Sequence, residues 1–436
     1  MQSSQNQEER MYVLLATTIF LLFVPSSRTY TYCVGEENIN CNSTGLKCKE
    51  CRSLMWYVNR IEDISISNGR IFFLSGHHYL NSNETFEAVL NVSNIINITL
   101  QGNQSTVTCK GKQTGLVFYY SSDIAIINLE FNNCGANINS SFQTSIFFEL
   151  CSYLGLYEVT IRNSKGYGLY MNSTYGNITI NSSEFDRSKL GNSMFQFDCP
   201  NPNKNNVLQI TLSNFTNGGQ LNTDDSAGLS IYLFQPHYMV QLNKLVIKNN
   251  TGKYGGNVAI KFVDFSQITS QVSIADSTIE NGVADKNGGG LLFTSEKQHT
   301  RDESNCRNIS LKNIILKVSN TIFRNNTGLS GGGALIAYHD KAGTGCTIRE
   351  VVFENCNFSE NTANRGAVMY ITRHEMPLYL SLSSPQFKVT LNNSNIYENR
   401  MRNRQEQKNQ DGIIQVISVK DFFVLNTNFV NNNITP

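Results

Sequence analysis

Short runs of alternating apolar and polar residues recur along this chain, and each leads into the same small phrase. Val159-Thr-Ile161, Val272-Ser-Ile274, Val351-Val-Phe353 and Val389-Thr-Leu391 are such runs. Alternation with period two sends one set of side chains inward and the other outward, so each run predicts a short strand. The phrase joins an apolar anchor, one or two asparagines, a spacer and a glycine cluster to a further apolar run. Its clearest copy is Ile322-Phe-Arg-Asn-Asn-Thr-Gly-Leu-Ser-Gly-Gly-Gly-Ala-Leu-Ile336, and others span 246–260, 278–293 and 358–369. The anchors are Phe131, Ile161, Phe185, Phe215, Ile247, Ile279, Phe323, Phe358, Ile396 and Phe429, at intervals of 24 to 44 residues. Fixed phrasing at irregular spacing predicts stacked coils with outward loops of variable length.

No 3.6-residue periodicity is present, which excludes helical repeats. A propeller would need about four antiparallel strands per unit, with hairpin turns inside each. Two or three short strands per unit, separated by asparagine and glycine turns, predict a parallel β-helix instead. Asparagine at a bend tolerates left-handed geometry and can bond to the asparagine of the next coil. Glycine supplies positive φ where the chain turns into the next strand. The expected fold is all-β, a parallel β-helix of about eleven coils over residues 69–436.

Composition narrows the setting. The charged fraction is 16% and the formal net charge is +1, so no nucleic-acid partner is expected. Asparagine is about one residue in eight, far above average usage. The apolar stretch from Met11 to Val24, followed by Pro25-Ser-Ser27, predicts a cleaved signal peptide over residues 1–27. No later segment approaches the ~20 apolar residues of a membrane helix. Residues 28–68 read as a small Cys-rich N-terminal cap, with Cys33, Cys41, Cys48 and Cys51 close together. No second C-x-x-C or histidine pair follows Cys48-Lys-Glu-Cys51, so disulfides are expected there rather than a metal. Leu54-Met-Trp-Tyr-Val58 predicts a short helix over the open end of the stack.

Eleven cysteines in all favour disulfides in an exported chain, and the odd number leaves at least one without an intramolecular partner. Cys109 and Cys134 lie about one coil apart. Cys346 and Cys356 are expected to pair across a loop, or either to reach Cys306. Glycosylation sequons are dense, and candidates include Asn42, Asn83, Asn91, Asn172, Asn249, Asn325 and Asn392.

The repeat resembles a known family. Gly332-Gly-Ala-Leu335 with Phe323-Arg-Asn-Asn326 and Phe429-Val-Asn-Asn432 looks like the repeats of chlamydial polymorphic outer-membrane proteins. The cysteine segment, Phe72-Phe-Leu-Ser-Gly-His-His-Tyr-Leu80 and Ile126-Ile-Asn-Leu-Glu-Phe-Asn-Asn-Cys-Gly135 are similar to exported right-handed β-helix proteins of simple animals. The resemblance implies a right-handed parallel β-helix, and the bacterial proteins imply adhesion. Their membrane barrel has no counterpart here. The last phrase, from Phe429 to Pro436, stops before its glycine half, so the solenoid is expected to be incomplete, with further coils or an anchor beyond it.

Many β-helices depolymerise acidic polysaccharides, which requires paired carboxylates. The best catalytic candidates are Asp224 and Asp225 in Asn222-Thr-Asp-Asp-Ser226, with Asp186 and Asp198 one or two coils earlier. The Gly-His-Gly and Arg-Ile-Lys elements of polygalacturonase-like enzymes are absent, so this stretch reads as a polar loop. His77-His78 reads as a surface pair, not a metal site. The Gly331-Gly-Gly333 run lacks the Lys-Ser/Thr of a phosphate loop. No cofactor or metal is expected. The preferred function is an exported, non-catalytic glycoprotein whose elongated surface serves adhesion or ligand recognition, secreted or at the cell surface. Extracellular glycans or proteins are its expected partners, with membrane attachment only through an anchor beyond Pro436. A polysaccharide lyase or hydrolase centred on Asp224 and Asp225, and a structural matrix protein, are the alternatives.

Overall fold

A computed structural model describes residues 30–35, 48–58, 69–74, 76–79, 88–109, 114–135, 143–197, 206–219, 228–233, 238–263, 269–296, 313–338, 348–373, 388–402, 412–417, 419 and 421–434. The chain is a right-handed parallel β-helix. Among the described residues the strands form a 24-stranded, an 11-stranded and a 6-stranded sheet, all paired in parallel. A typical coil gives a long and a short strand to the largest sheet. It then gives one strand to the six-stranded sheet and one to the eleven-stranded sheet. Ile348–Glu354, Asn357–Ser359, Thr362–Arg365 and Met369–Arg373 make one such turn. Among the described residues, no helix is long and apolar enough to cross a membrane.

The apolar anchors fall into a single register column. Phe131 pairs with Ile161, then Phe185, Phe215, Ile247, Ile279, Phe323, Phe358, Ile396 and Phe429 follow one per coil. From Phe131 to Ile396 they are buried. Phe185 stacks on Phe215 at 4.7 Å and Phe323 on Phe358 at 4.8 Å. Each buried phenylalanine contributes about 2–3 kcal/mol by leaving water.

The corners need a separate solution. Strand backbones pair along the axis, but a turn directs an N–H into the interior, where an unbonded group costs about 1–3 kcal/mol. A ladder of buried asparagines meets these groups. The N–H groups of Asn326, Asn361 and Asn399 donate to Oδ1 of Asn361, Asn399 and Asn432 on the following coils, at 3.0–3.1 Å. The carboxamides also bond to one another, Asn326 to Asn361 and Asn361 to Asn399 at 3.0 Å. Each then donates to an anchor carbonyl of the coil before it, as Asn361 does to Phe323 O at 2.9 Å.

Two coils carry glycine at the ladder position, Gly218 and Gly282. There the carboxamides of Asn192 and Asn257 enter from the neighbouring strand start. Asn192 accepts from Ser188 N–H, and Asn257 accepts from Asn250 N–H. A Cβ on Gly282 would lie 2.5 Å from Asn257 Nδ2, so the glycine makes room for the substitute.

The other corner of the largest sheet uses hydroxyls. Ser183, Ser213, Ser277 and Ser394 accept N–H groups of the preceding coil at 3.1–3.2 Å. Cys356 occupies this column between Thr321 and Ser394. The outer side of the asparagine corner sits at positive φ, with Asn163, Asn217, Asn249, Asn281 and Asn325 between 51° and 57°. Gly331 begins the glycine corner at φ 67°. A Cβ on Gly332 or Gly333 would meet the backbone of the next coil at 2.6 Å.

The N-terminal cap is continuous with the solenoid. Strand Tyr30–Val34 pairs in parallel with Gly69–Phe73, so it is already a rung of the largest sheet. Helix Leu54–Val58 closes the interior behind it. Leu54 and Tyr57 enter the core, and Tyr57 OH donates to Cys33 O and Glu50 O at 3.2 Å.

Replacing Asn361 with alanine is expected to cost about 3 kcal/mol, because it orphans Asn326 N–H and Phe323 O together. Asn325→Ala, at an exposed position of the outer turn, is expected to cost under about 0.5 kcal/mol. Urea unfolding monitored by circular dichroism checks the difference.

Candidate functional site

Asp224, Asp225, Asp198, Cys41, Cys306, Cys346, Asn42 and Asn83 lie outside the described residues, as do residues 1–27. Asp186 is held by the fold, accepting from Thr216 Oγ1 at 2.8 Å and Asn217 Nδ2 at 2.7 Å. His77 and His78 are not a surface pair. His78 is buried, bonds to Leu74 O at 2.9 Å and meets the Phe73 ring edge-on. Among the described residues, no group of three His, Cys, Asp or Glu side chains gathers to hold a metal.

Cys33 bonds to Cys48 and Cys109 to Cys134, with Cα–Cα distances of 5.7 and 4.7 Å. Cys51 is also disulfide-bonded. These bonds belong to an oxidising compartment. Cys356 corrects the expectation of a third loop bridge. It is a free, buried thiol whose Sγ donates to Val318 O and Glu354 O, as a serine would in that column. Cys151, also free and buried, donates to Phe118 O and Glu149 O.

The described sequons divide by exposure. Asn249 and Asn325 are exposed on the outer turn, linked through Asn281 by carboxamide bonds of 3.0 and 2.8 Å. Asn172 and Asn392 are half-buried. Asn91 lies in strand Ala88–Ser93.

The best-organised surface is the outer face of the eleven-stranded sheet. Phe118, Phe148, Met171 and Phe195 point into the core, so their neighbours point outward. One column on that side runs Val117, Phe147, Tyr170, Met194, of which Tyr170 is half-buried and the other three are buried. The parallel column runs Tyr119, Glu149, Asn172, Gln196, Tyr232, Lys261.

Rings meet across successive coils. Tyr119 and Phe147 are 6.1 Å apart and Phe147 and Tyr170 5.4 Å, while Tyr167 lies 5.7 Å from Tyr170 on the same strand. Polar side chains are fixed beside them. Tyr170 OH donates to Gln196 Oε1 at 3.1 Å, and Asn172 Nδ2 donates to Glu149 Oε1 at 3.2 Å. Further along, the Lys261 ammonium lies 4.8 Å from the centre of the Tyr232 ring. Tyr254, from the six-stranded sheet, packs against the same outer face.

This arrangement sets the half-buried rings of Tyr119, Tyr167 and Tyr170, with the buried Phe147 between them, beside oriented carboxamides and a carboxylate. Aromatic rings offer apolar area at small entropic cost, and fixed polar groups give orientation. Glycoside chemistry needs two carboxylates across a bond, about 5–9.5 Å apart. Glu149 is the single carboxylate in these two columns. Among the described residues of these two columns, no second carboxylate stands beside Glu149.

No protein-family model matches the chain, and no curated protein matches it. Similar solved structures include a rhamnogalacturonan lyase, at 12% identity over 91% of this chain and 87% of that one, TM-score 0.47. Another is PfbA, a surface adhesin of Streptococcus pneumoniae, at 11% identity over 83% and 84%, TM-score 0.38. A third is the mannuronan C-5 epimerase AlgE4 A-module of Azotobacter vinelandii, at 9% identity over 84% and 87%, TM-score 0.32. At these values the likenesses carry no argument about what this chain binds or does.

Burial raises the thiols of Cys151 and Cys356 to about 11. Both stay protonated at pH 8, with a thiolate fraction on the order of one in a thousand. The unfolded thiols ionise near 9.0, so their share of stability falls as pH rises through that value. Alkylation of the native protein at pH 8 is expected to spare both, and labelling to appear only on unfolding. Mass spectrometry of the digested protein reads this out.

Proposed function

We propose that this chain is an extracellular recognition protein that binds glycans along the outer face of its eleven-stranded sheet. The observation that carries the reading is the pair of half-buried rings Tyr119 and Tyr170, held on either side of the buried Phe147 and flanked by the half-buried Glu149, Asn172 and Gln196. Sugar rings present an apolar C–H face and a rim of hydroxyls. The first packs on an aromatic face, and the second needs placed donors and acceptors. The disulfides agree with a chain that works outside the reducing cytosol. Sequons at Asn249 and Asn325 lie on the turn between the largest and the six-stranded sheets. Glycans there would leave the aromatic face open.

The enzyme alternative rests on Asp224 and Asp225, and an assay of the full chain separates the two. On a panel of immobilised saccharides, the protein is expected to bind without shortening them. Tyr170→Ala should weaken binding at least about tenfold, equal to about 1.4 kcal/mol. Turnover abolished by Asp224→Asn would replace this reading with the catalytic one. Binding to a protein receptor, with no affinity for any saccharide, would contradict the glycan assignment.

A further inference from the structure

We infer that the outer face of the largest sheet is a wall of N-linked glycans, so that a partner meets the protein on its other two sheets. The inference takes the extracellular setting from the reading above, but not its ligand. Five sequon asparagines are exposed among the described residues, Asn103, Asn177, Asn214, Asn249 and Asn325. Asn103, Asn177 and Asn214 stand on strands Ile96–Thr108, Tyr175–Asn181 and Asn214–Thr216 of the largest sheet. Asn249 and Asn325 directly follow two of its short strands, Val246–Lys248 and Ile322–Arg324. Register puts Asn177, Asn214 and Asn249 on three consecutive coils. Asn325 follows two coils later, and Asn103 lies three coils earlier. At about 4.8 Å per coil, the row is about 34 Å long.

An N-linked glycan is bulky and needs a solvent-facing asparagine. A carboxamide nitrogen carries two hydrogens. In Asn249 and Asn325 one of them donates to Asn217 and Asn281, and the other is the hydrogen that a glycan replaces. Half-buried sequons are committed to the fold instead. Asn172 Nδ2 donates to Glu149, Asn181 Oδ1 accepts from Thr211 Oγ1 at 2.8 Å, and Asn357 Oδ1 is buried. On the eleven-stranded sheet the described sequons are Asn172 and Asn91, the latter in the strand at one end. From Val117 onward that face therefore stays bare.

A second observation points to a cover on the largest sheet. Met239 is 40% exposed and continues the register column of Asn177 and Val207. Ile322 is 39% exposed, in the column that runs from Asn214 through Val246 and Thr278. Leu212, 46% exposed, stands two residues before Asn214. Exposed apolar groups on a rigid repeating surface invite unwanted association. Glycans rooted in the same columns cover them with hydroxyls.

The test is a map of site occupancy on the full chain secreted by animal cells, read by enzymatic deglycosylation in heavy-oxygen water and mass spectrometry. Asn177, Asn214, Asn249 and Asn325 are expected to carry glycans in most molecules, and Asn172, Asn181 and Asn357 in almost none. Trimming the glycans from the folded protein is expected to leave its saccharide affinity within about twofold, a change of about 0.4 kcal/mol. Occupancy at Asn172, or bare Asn177 and Asn214, overturns the inference. If binding sensitive to Tyr170→Ala persists in that case, the recognition reading stands. Affinity lost on trimming places the ligand on the wall and also overturns the inference. A chain with bare sequons that binds no saccharide overturns both.

Discussion

Everything in this molecule depends on one requirement, that each coil's backbone be satisfied by the coils on either side of it. A parallel strand directs its N–H and C=O groups along the solenoid axis, so within the stack no coil can complete its own hydrogen bonding. Straight segments meet the requirement through register alone. Corners do not, because the turn rotates one donor into the interior. The buried asparagines solve this with a side chain that both accepts and donates, so one residue serves its own coil and its neighbour. Serine, threonine and cysteine solve the same problem at the second corner.

This division of labour frees the outward positions. Inward residues and corner residues hold the stack together, and half-buried outward side chains such as Tyr119, Glu149, Asn172 and Gln196 carry less of that burden than the buried Val117, Phe147 and Met194 beside them. A ligand surface can therefore be written on the eleven-stranded sheet without disturbing the core. Side chains one coil apart are locked in register, so rings such as Phe147 and Tyr170 become a fixed series. A rigid sheet is a better support for such a series than a loop, because the contact geometry is held in advance.

The sequence made the stack legible and left the surface obscure. Every anchor read from the repeated phrase takes its place in one column, since inward apolar residues must recur once per coil. Asn326 and Asn361 stand in the quoted copies of that phrase, and Asn399 extends their column. The role of Asn192 and Asn257 was not visible, because they replace a missing ladder residue from a different place in the coil. Cys356 looked like half of a disulfide until its column showed it standing in for serine. The aromatic series was hidden by its own strands. Tyr119 follows Phe118, Phe148 follows Phe147, and Met171 follows Tyr170, so outward and inward apolar residues merge into one run. Only register distinguishes a ring on the outer side of the sheet from a ring in the central core. Loop lengths that vary from coil to coil conceal that register in the sequence.

Amide hydrogen exchange tests the central claim most directly. The N–H groups of Asn326, Asn361 and Asn399 lie in turns, where amides commonly exchange fast. Here each is bonded to a buried carboxamide of the next coil. Their protection in the native protein is expected to match that of the strand residues Phe323 and Phe358. Exchange at the rate of exposed turn amides would show that the corners are not held by the ladder, and would contradict this account of how the coils are joined.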